Sequence, residues 1–153
     1  MRTINVTDAC HPSNTDQMIS TQGRSAQRVF DQALEKQLHD MLTASCLSSN
    51  KERCGFISED EDIFYVTNVH CEPRHNFLMD AADFETVVTE IYDIRQTRIE
   101  GVFHTHPNNV PWPTPRDLVG WPNPMLGWRY WIVTNTAVIE WKLVDEDDSP
   151  AAV

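Results

Sequence analysis

Apolar residues Phe30, Leu34, Leu38, Met41 and Leu42 recur three and four positions apart. That is the spacing of one helical face, and it predicts a first helix starting near Ser25. Residues 53–58 and 63–70 are short apolar runs on either side of Glu59-Asp60-Glu61-Asp62, and they predict two strands joined across an acidic turn. Residues 71–79 have no periodicity and read as an irregular connection. Asp80 is a good helix cap, and Phe84, Val87, Val88 and Ile91 follow it as a second apolar stripe. Ile99-Glu100-Gly101-Val102-Phe103 reads as a strand. Thr114-Pro115 opens a short helix that Gly120, Trp121 and Pro122 end. Residues 129–134 and 137–144 form a closing hairpin around Asn135-Thr136. This order predicts an α/β fold, a mixed sheet packed by helices, with no repeat and no second domain. Residues 1–24 are either a flexible arm or an added strand, 25–144 the domain, and 145–153 an acidic tail.

Composition narrows the class. A chain of 153 residues with 41% hydrophobic and 23% charged positions is the size and make-up of one globular domain. Its formal charge of −11 argues against nucleic-acid partners. No apolar run is long enough for a membrane span. Residues 1–21 have no hydrophobic signal core, so a cytoplasmic location is expected. Cys10, Cys46, Cys54 and Cys71 show no paired spacing, and reduced thiols are expected. The acidic runs read as a solvated turn and a solvated tail.

The chemistry concentrates in His104-Thr105-His106-Pro107 and Thr114-Pro115-Arg116-Asp117. Side chains two apart on a strand share a face, so both imidazoles can meet one metal ion. Asp117 falls at the third position of a helix capped by Thr114, where an acidic group suits the dipole and can supply an oxygen ligand. Two histidines and one carboxylate leave an open position, the pattern of a catalytic zinc site. Zinc so held acidifies water there to a pKa of roughly 7.

These residues resemble the JAMM (MPN-plus) zinc metallopeptidase signature, His-Ser/Thr-His-Pro, then a later Ser, and an Asp after two further residues. The resemblance covers about residues 51–143. It implies a single MPN (JAB/JAMM) domain of cytidine-deaminase-like architecture, with Zn2+ held by His104, His106 and Asp117. It assigns the catalytic Glu to Glu52, which stands before Cys54-Gly55. Thr114 occupies the place of the oxyanion-stabilising Ser; its hydroxyl remains and its methyl restricts rotamers. The wording around the motif is most similar to the prokaryotic and phage tail-assembly branch. The short connection from Asp117 to Arg129 leaves little room for a long substrate-clamping insertion. The implied activity is zinc-dependent hydrolysis of an amide bond in an extended peptide or a ubiquitin-like tail. The alternative is a noncatalytic MPN-fold assembly module. A zinc nucleoside deaminase would need His-x-Glu and Pro-Cys-x-x-Cys, which are absent.

Trp112 and Trp121, each among prolines, are either a rim gripping substrate or mere loop and edge packing. Trp128, Trp131 and Trp141 read as packing residues in strands. His70, Cys71 and His75 read as incidental loop residues, and His11 and His39 as surface residues. The acidic surface leads to the expectation that basic substrate segments associate best.

Overall fold

The central strand carries the motif. The computed structural model describes residues 24–46 and 50–145, without the side chains of 41–46 and 145. Ile99–Thr105 forms β4, buried at every position but Glu100. A strand covered on both faces needs such a continuous apolar run. Around it the chain forms β1 (Arg24–Val29), α1 (Gln32–Cys46), β2 (Cys54–Ser58), β3 (Ile63–Val66) and α2 (Ala81–Thr89). A π-helical turn, Glu90–Ile94, extends α2. After β4 come α3 (Pro115–Val119), a 3-10 turn (Pro124–Leu126), β5 (Arg129–Val133) and β6 (Val138–Asp145). The six strands lie in the order β1-β6-β5-β4-β2-β3. Among the described strands only β4 and β5 run parallel, and α3 lies in the crossover between them.

Period-two alternation sends alternate residues of the sheet to two cores. On one face Leu38 of α1 packs against Ile57, Phe103, Trp131 and Val133. On the other, Phe84, Val87 and Val88 of α2 and Leu118 of α3 pack against Phe56, Val102, Tyr130 and Ile132. The architecture is therefore an α/β fold, a mixed sheet between helical layers. Gly101 lets β4 and β5 approach closely, since a Cβ there would overlap the Trp131 ring and the Arg129 carbonyl.

The first helix begins later than its apolar spacing predicts. Arg24–Val29 is an edge strand paired from Arg24↔Asp145 to Val29↔Glu140. Sheet pairing overrides the helical spacing there. Phe30 is 77% exposed and leaves the stripe. Asp31 accepts from the Leu34 amide at 3.2 Å, so the helix opens just after it. Arg129 of β5 reaches back to Asp31 at 2.9 Å and ties this start to the sheet. The side chains of Met41 and Leu42 lie outside the described residues, as do the expected arm up to residue 23 and the tail beyond 145.

The second strand of the first hairpin ends at Val66 rather than at residue 70. Thr67–Val69 instead bonds to residues 78–80, with the Asp80 amide on the Thr67 carbonyl at 2.9 Å and the Val69 amide on Leu78 at 2.8 Å. Asp80 caps α2 as its sequence predicts, accepting from the Asp83 amide at 2.9 Å. Cys54 is a free, buried thiol, but Cys71 is disulfide-bonded, contrary to the reduced state expected. Spacing along the chain does not report which thiols the fold brings together.

Candidate metal centre

Cys54 pairs with His104 across β2 and β4, which places the segment before β2 beside the end of β4. His106, one residue past β4, continues the parallel ladder through its amide on the Val133 carbonyl at 2.8 Å. Both histidines are thereby fixed on the sheet face that α2 and α3 cover. Their Nε2 atoms lie 2.9 Å apart, and both rings are fully buried.

The short helix delivers the carboxylate. Pro115 occupies its first turn, and Thr114 Oγ1 accepts from the Asp117 amide at 3.2 Å. Asp117 Oδ2 answers by accepting from the Thr114 amide at 2.9 Å, completing a capping box. The same carboxylate faces both rings, with Oδ1 3.3 Å from His104 Nε2 and Oδ2 3.2 Å from His106 Nε2.

The two Nε2 atoms and one Asp117 oxygen fit a zinc ion with a fourth position left open. At 2.9 Å at most one of the two Nε2 atoms can carry a proton between them, so at least one lone pair faces the other ring beside the carboxylate. Donors about 2.0–2.1 Å from a tetrahedral zinc stand roughly 3.3 Å apart, close to the spacings found. His106 Nδ1 donates to the Val110 carbonyl at 2.7 Å, which leaves its Nε2 lone pair facing inward. His104 is held by stacking on Phe77, with centroids 4.6 Å apart, and by the edge of Tyr130. Its Nδ1 has no hydrogen-bond partner among the described residues. Burial keeps the His104 imidazolium unfavourable and so favours the neutral, metal-binding form, against the pull of Asp117. Burial would also raise Asp117, but the two histidines outweigh it and hold the carboxyl well below its usual range.

Glu52 stands at the edge of this group. Its amide donates to Pro73 at 2.6 Å, and its carbonyl accepts from Asn68 Nδ2 at 2.9 Å. The side chain is 4% exposed, and Oε1 has no hydrogen-bond partner among the described residues. One of its carboxylate oxygens and a nitrogen from each histidine lie within 4.8 Å of one another. Burial, and then the charge of Asp117, push its pKa up to about 9. The two carboxyls therefore differ. Asp117 is held charged against both rings, whereas burial holds Glu52 towards its protonated form.

The two rim tryptophans part company. Trp112 is 58% exposed, on a loop fastened by the Trp141 Nε1 bond to the Pro111 carbonyl at 2.9 Å. Trp121 is 5% exposed and stacks on Tyr130 at 3.7 Å, so it is a core residue and not a substrate rim. Trp131 is fully buried, and Trp141 packs on the core. Trp128 packs there too, though it precedes β5. His70 Nδ1 accepts from the Glu72 amide at 2.9 Å within its loop.

Sequence reasoning passes over the supports of the site: Phe77, Tyr130, Asn68 and the Val110 carbonyl. The last is placed by Asn108 and Asn109. Asn108 Oδ1 accepts from the Val110 amide at 3.2 Å. Asn109, at φ 63°, accepts from the Asn135 amide at 2.8 Å. Two adjacent asparagines are a turn signal that marks this loop in the sequence.

Comparison with known proteins places the fold. A solution structure of a protein from Desulfitobacterium hafniense aligns with TM-score 0.55 and 24% identity, over 73% of this chain and 82% of that one. A solution structure of a Salinibacter ruber protein aligns with TM-score 0.41 and 19% identity, over 78% and 83%. No match is found among curated proteins. The Prok-JAB family model, prokaryotic homologs of the JAB domain, matches residues 27–144, and the chain belongs to that family.

Proposed function

We propose that this protein is a zinc-dependent hydrolase that cleaves an amide bond in an extended peptide or an isopeptide-linked tail. The observation that carries this reading is Glu52: a buried carboxyl with an unpartnered oxygen, beside two histidines whose Nε2 atoms converge. A purely structural metal site needs no such carboxyl.

When bound, zinc supplies Lewis acidity, which acidifies water and polarises a carbonyl. His104, His106 and Asp117 would hold it. Glu52 takes a proton from the attacking water and returns it to the leaving amine. Its burial favours the protonated form that donates to the leaving amine, and a cation held at the histidines would favour the charged form that takes the proton. Thr114 spends an oxygen lone pair on the Asp117 amide, which leaves its hydroxyl proton available to a developing oxyanion. Thr105 and Arg53 hold the Glu52 segment against the motif strand, through the Arg53 amide on Thr105 Oγ1 at 2.8 Å.

The test is hydrolysis of a peptide library and of ubiquitin-like protein fusions by zinc-loaded protein. Cleavage that disappears in Glu52→Gln supports the proposal. A partner that binds wild type and Glu52→Gln equally, with no cleavage of any substrate, replaces it with an assembly module.

A further inference from the structure

Glu52 lies two residues before β2, outside the strand register, and the loop after β3 holds both of its main-chain groups. Its amide donates to the Pro73 carbonyl at 2.6 Å, and its carbonyl accepts from Asn68 Nδ2 at 2.9 Å. Oε1 of its side chain has no hydrogen-bond partner among the described residues. The aim of the carboxyl therefore depends on where that loop holds the main chain.

Asn68 spends its whole side chain on the backbone around the site. Nδ2 donates to the Glu52 carbonyl and, at 3.0 Å, to the Asn76 carbonyl. Oδ1 accepts from the His70 and Leu78 amides, each at 3.0 Å. A primary amide has two protons and two acceptor lone pairs, and all four are used. The partners also fix which way the amide faces, because carbonyls only accept and backbone amides only donate. Asn76 and Leu78 flank Phe77, whose ring stacks on His104 with centroids 4.6 Å apart. One side chain thus joins the main chain of Glu52 to both neighbours of the ring that supports a histidine.

We propose that Asn68 is a positioning residue, which sets how far the Glu52 carboxyl stands from a metal held at His104 and His106. The inference rests on the reading of Glu52 as proton carrier beside that metal. Proton transfer tolerates little error in distance, and a displacement of about 1 Å can cost about 10²-fold in rate. Few side chains can replace this amide. Asp keeps the acceptors but turns an oxygen towards the Glu52 and Asn76 carbonyls, and Ala removes all four bonds.

The experiment reads the position of the carboxyl directly. Cobalt(II) is loaded in place of zinc; it is paramagnetic and broadens the signals of nearby nuclei steeply with proximity. The protein carries carbon-13 in its glutamate carboxyls, and the Glu52 signal is the one absent from Glu52→Gln. In wild type this signal is strongly broadened. In Asn68→Asp and Asn68→Ala it is broadened less, with the cobalt content unchanged. Asn68→Asp retains the acceptor for His70 and Leu78, and so keeps the test open if the loop comes apart in Asn68→Ala. With a fluorogenic peptide that wild type cleaves, Asn68→Asp lowers kcat about 10²-fold at unchanged KM. Added to Glu52→Gln it lowers kcat no further, because both changes act on one proton transfer. Broadening equal to that of wild type overturns the proposal, as does a loss of kcat that adds in full to that of Glu52→Gln. Wild type that takes up no cobalt refutes the metal centre and the proposal with it. If wild type takes up cobalt and cleaves nothing, the peptidase reading fails alone and the broadening decides the position of Glu52.

Discussion

Thr114 and Asp117 cap each other. The Thr114 hydroxyl accepts from the Asp117 amide, and the Asp117 carboxylate accepts from the Thr114 amide while facing both histidines. Helix start and proposed metal ligand are thus one structure. Thr114→Ser should keep both the cap and a donor hydroxyl, and so keep activity. Thr114→Val should cost about 1 kcal/mol of stability through the lost cap. It should also lower kcat by about 10²–10³-fold through the lost donor. Rates and melting curves measured together separate the two effects. Wild-type kcat in the Val variant would leave Thr114 with the cap alone.

His106 keeps its orientation through a backbone carbonyl, and that carbonyl depends on Asn109. Asn109→Ala removes the acceptor for the Asn135 amide and places a Cβ without a polar tip at positive φ. Outer-sphere losses of this kind weaken metal binding by about 10–100-fold. Competition with a chelator should show at least the lower figure. An unchanged zinc affinity would mean that the ring needs no help from this loop.

The raised pKa of Glu52 has a sign that can be checked in metal-free protein. A carboxyl whose folded value is about 9, against an ordinary 4.5, binds its proton more tightly in the native state. It therefore favours folding below about pH 4.5, and that contribution is lost as pH rises towards 9. Removing zinc and comparing melting temperatures across this window should show wild type declining relative to Glu52→Gln. Parallel curves would place Glu52 in contact with solvent.

The two tryptophans should respond differently to truncation. Trp121→Ala opens a hole against Tyr130 and should destabilise by about 3–5 kcal/mol. Trp112→Ala, at an exposed site, should change stability by less than about 0.5 kcal/mol. If Trp112 grips the substrate away from the reacting bond, its removal raises KM and spares kcat. Denaturant titrations and steady-state kinetics check both statements.

What the sequence discloses and what it hides follow from the range of each interaction. The meeting of His104, His106 and Asp117 is legible because strand period and helix-cap position are local rules. The α2 stripe, Leu34 and Leu38 of α1, and the acidic turn are legible for the same reason. β1 is not, because its partner lies at the other end of the chain, with Arg24 opposite Asp145. Trp121 looks like a rim because its neighbours are prolines, and only the course of the chain after Gly120 shows it to be buried. Val110 contributes a backbone oxygen, for which no side chain speaks. The disulfide of Cys71 is likewise a product of the fold.

The central claim is a division of labour between two carboxyls, with Asp117 as ligand and Glu52 as proton carrier. The most direct measurement is the zinc content, by elemental analysis, of tag-free wild type, Glu52→Gln, His106→Ala and Asp117→Ala. The account predicts about one zinc per chain in wild type and Glu52→Gln, and little in the other two. Zinc lost from Glu52→Gln but kept by Asp117→Ala would contradict it and make Glu52 the ligand.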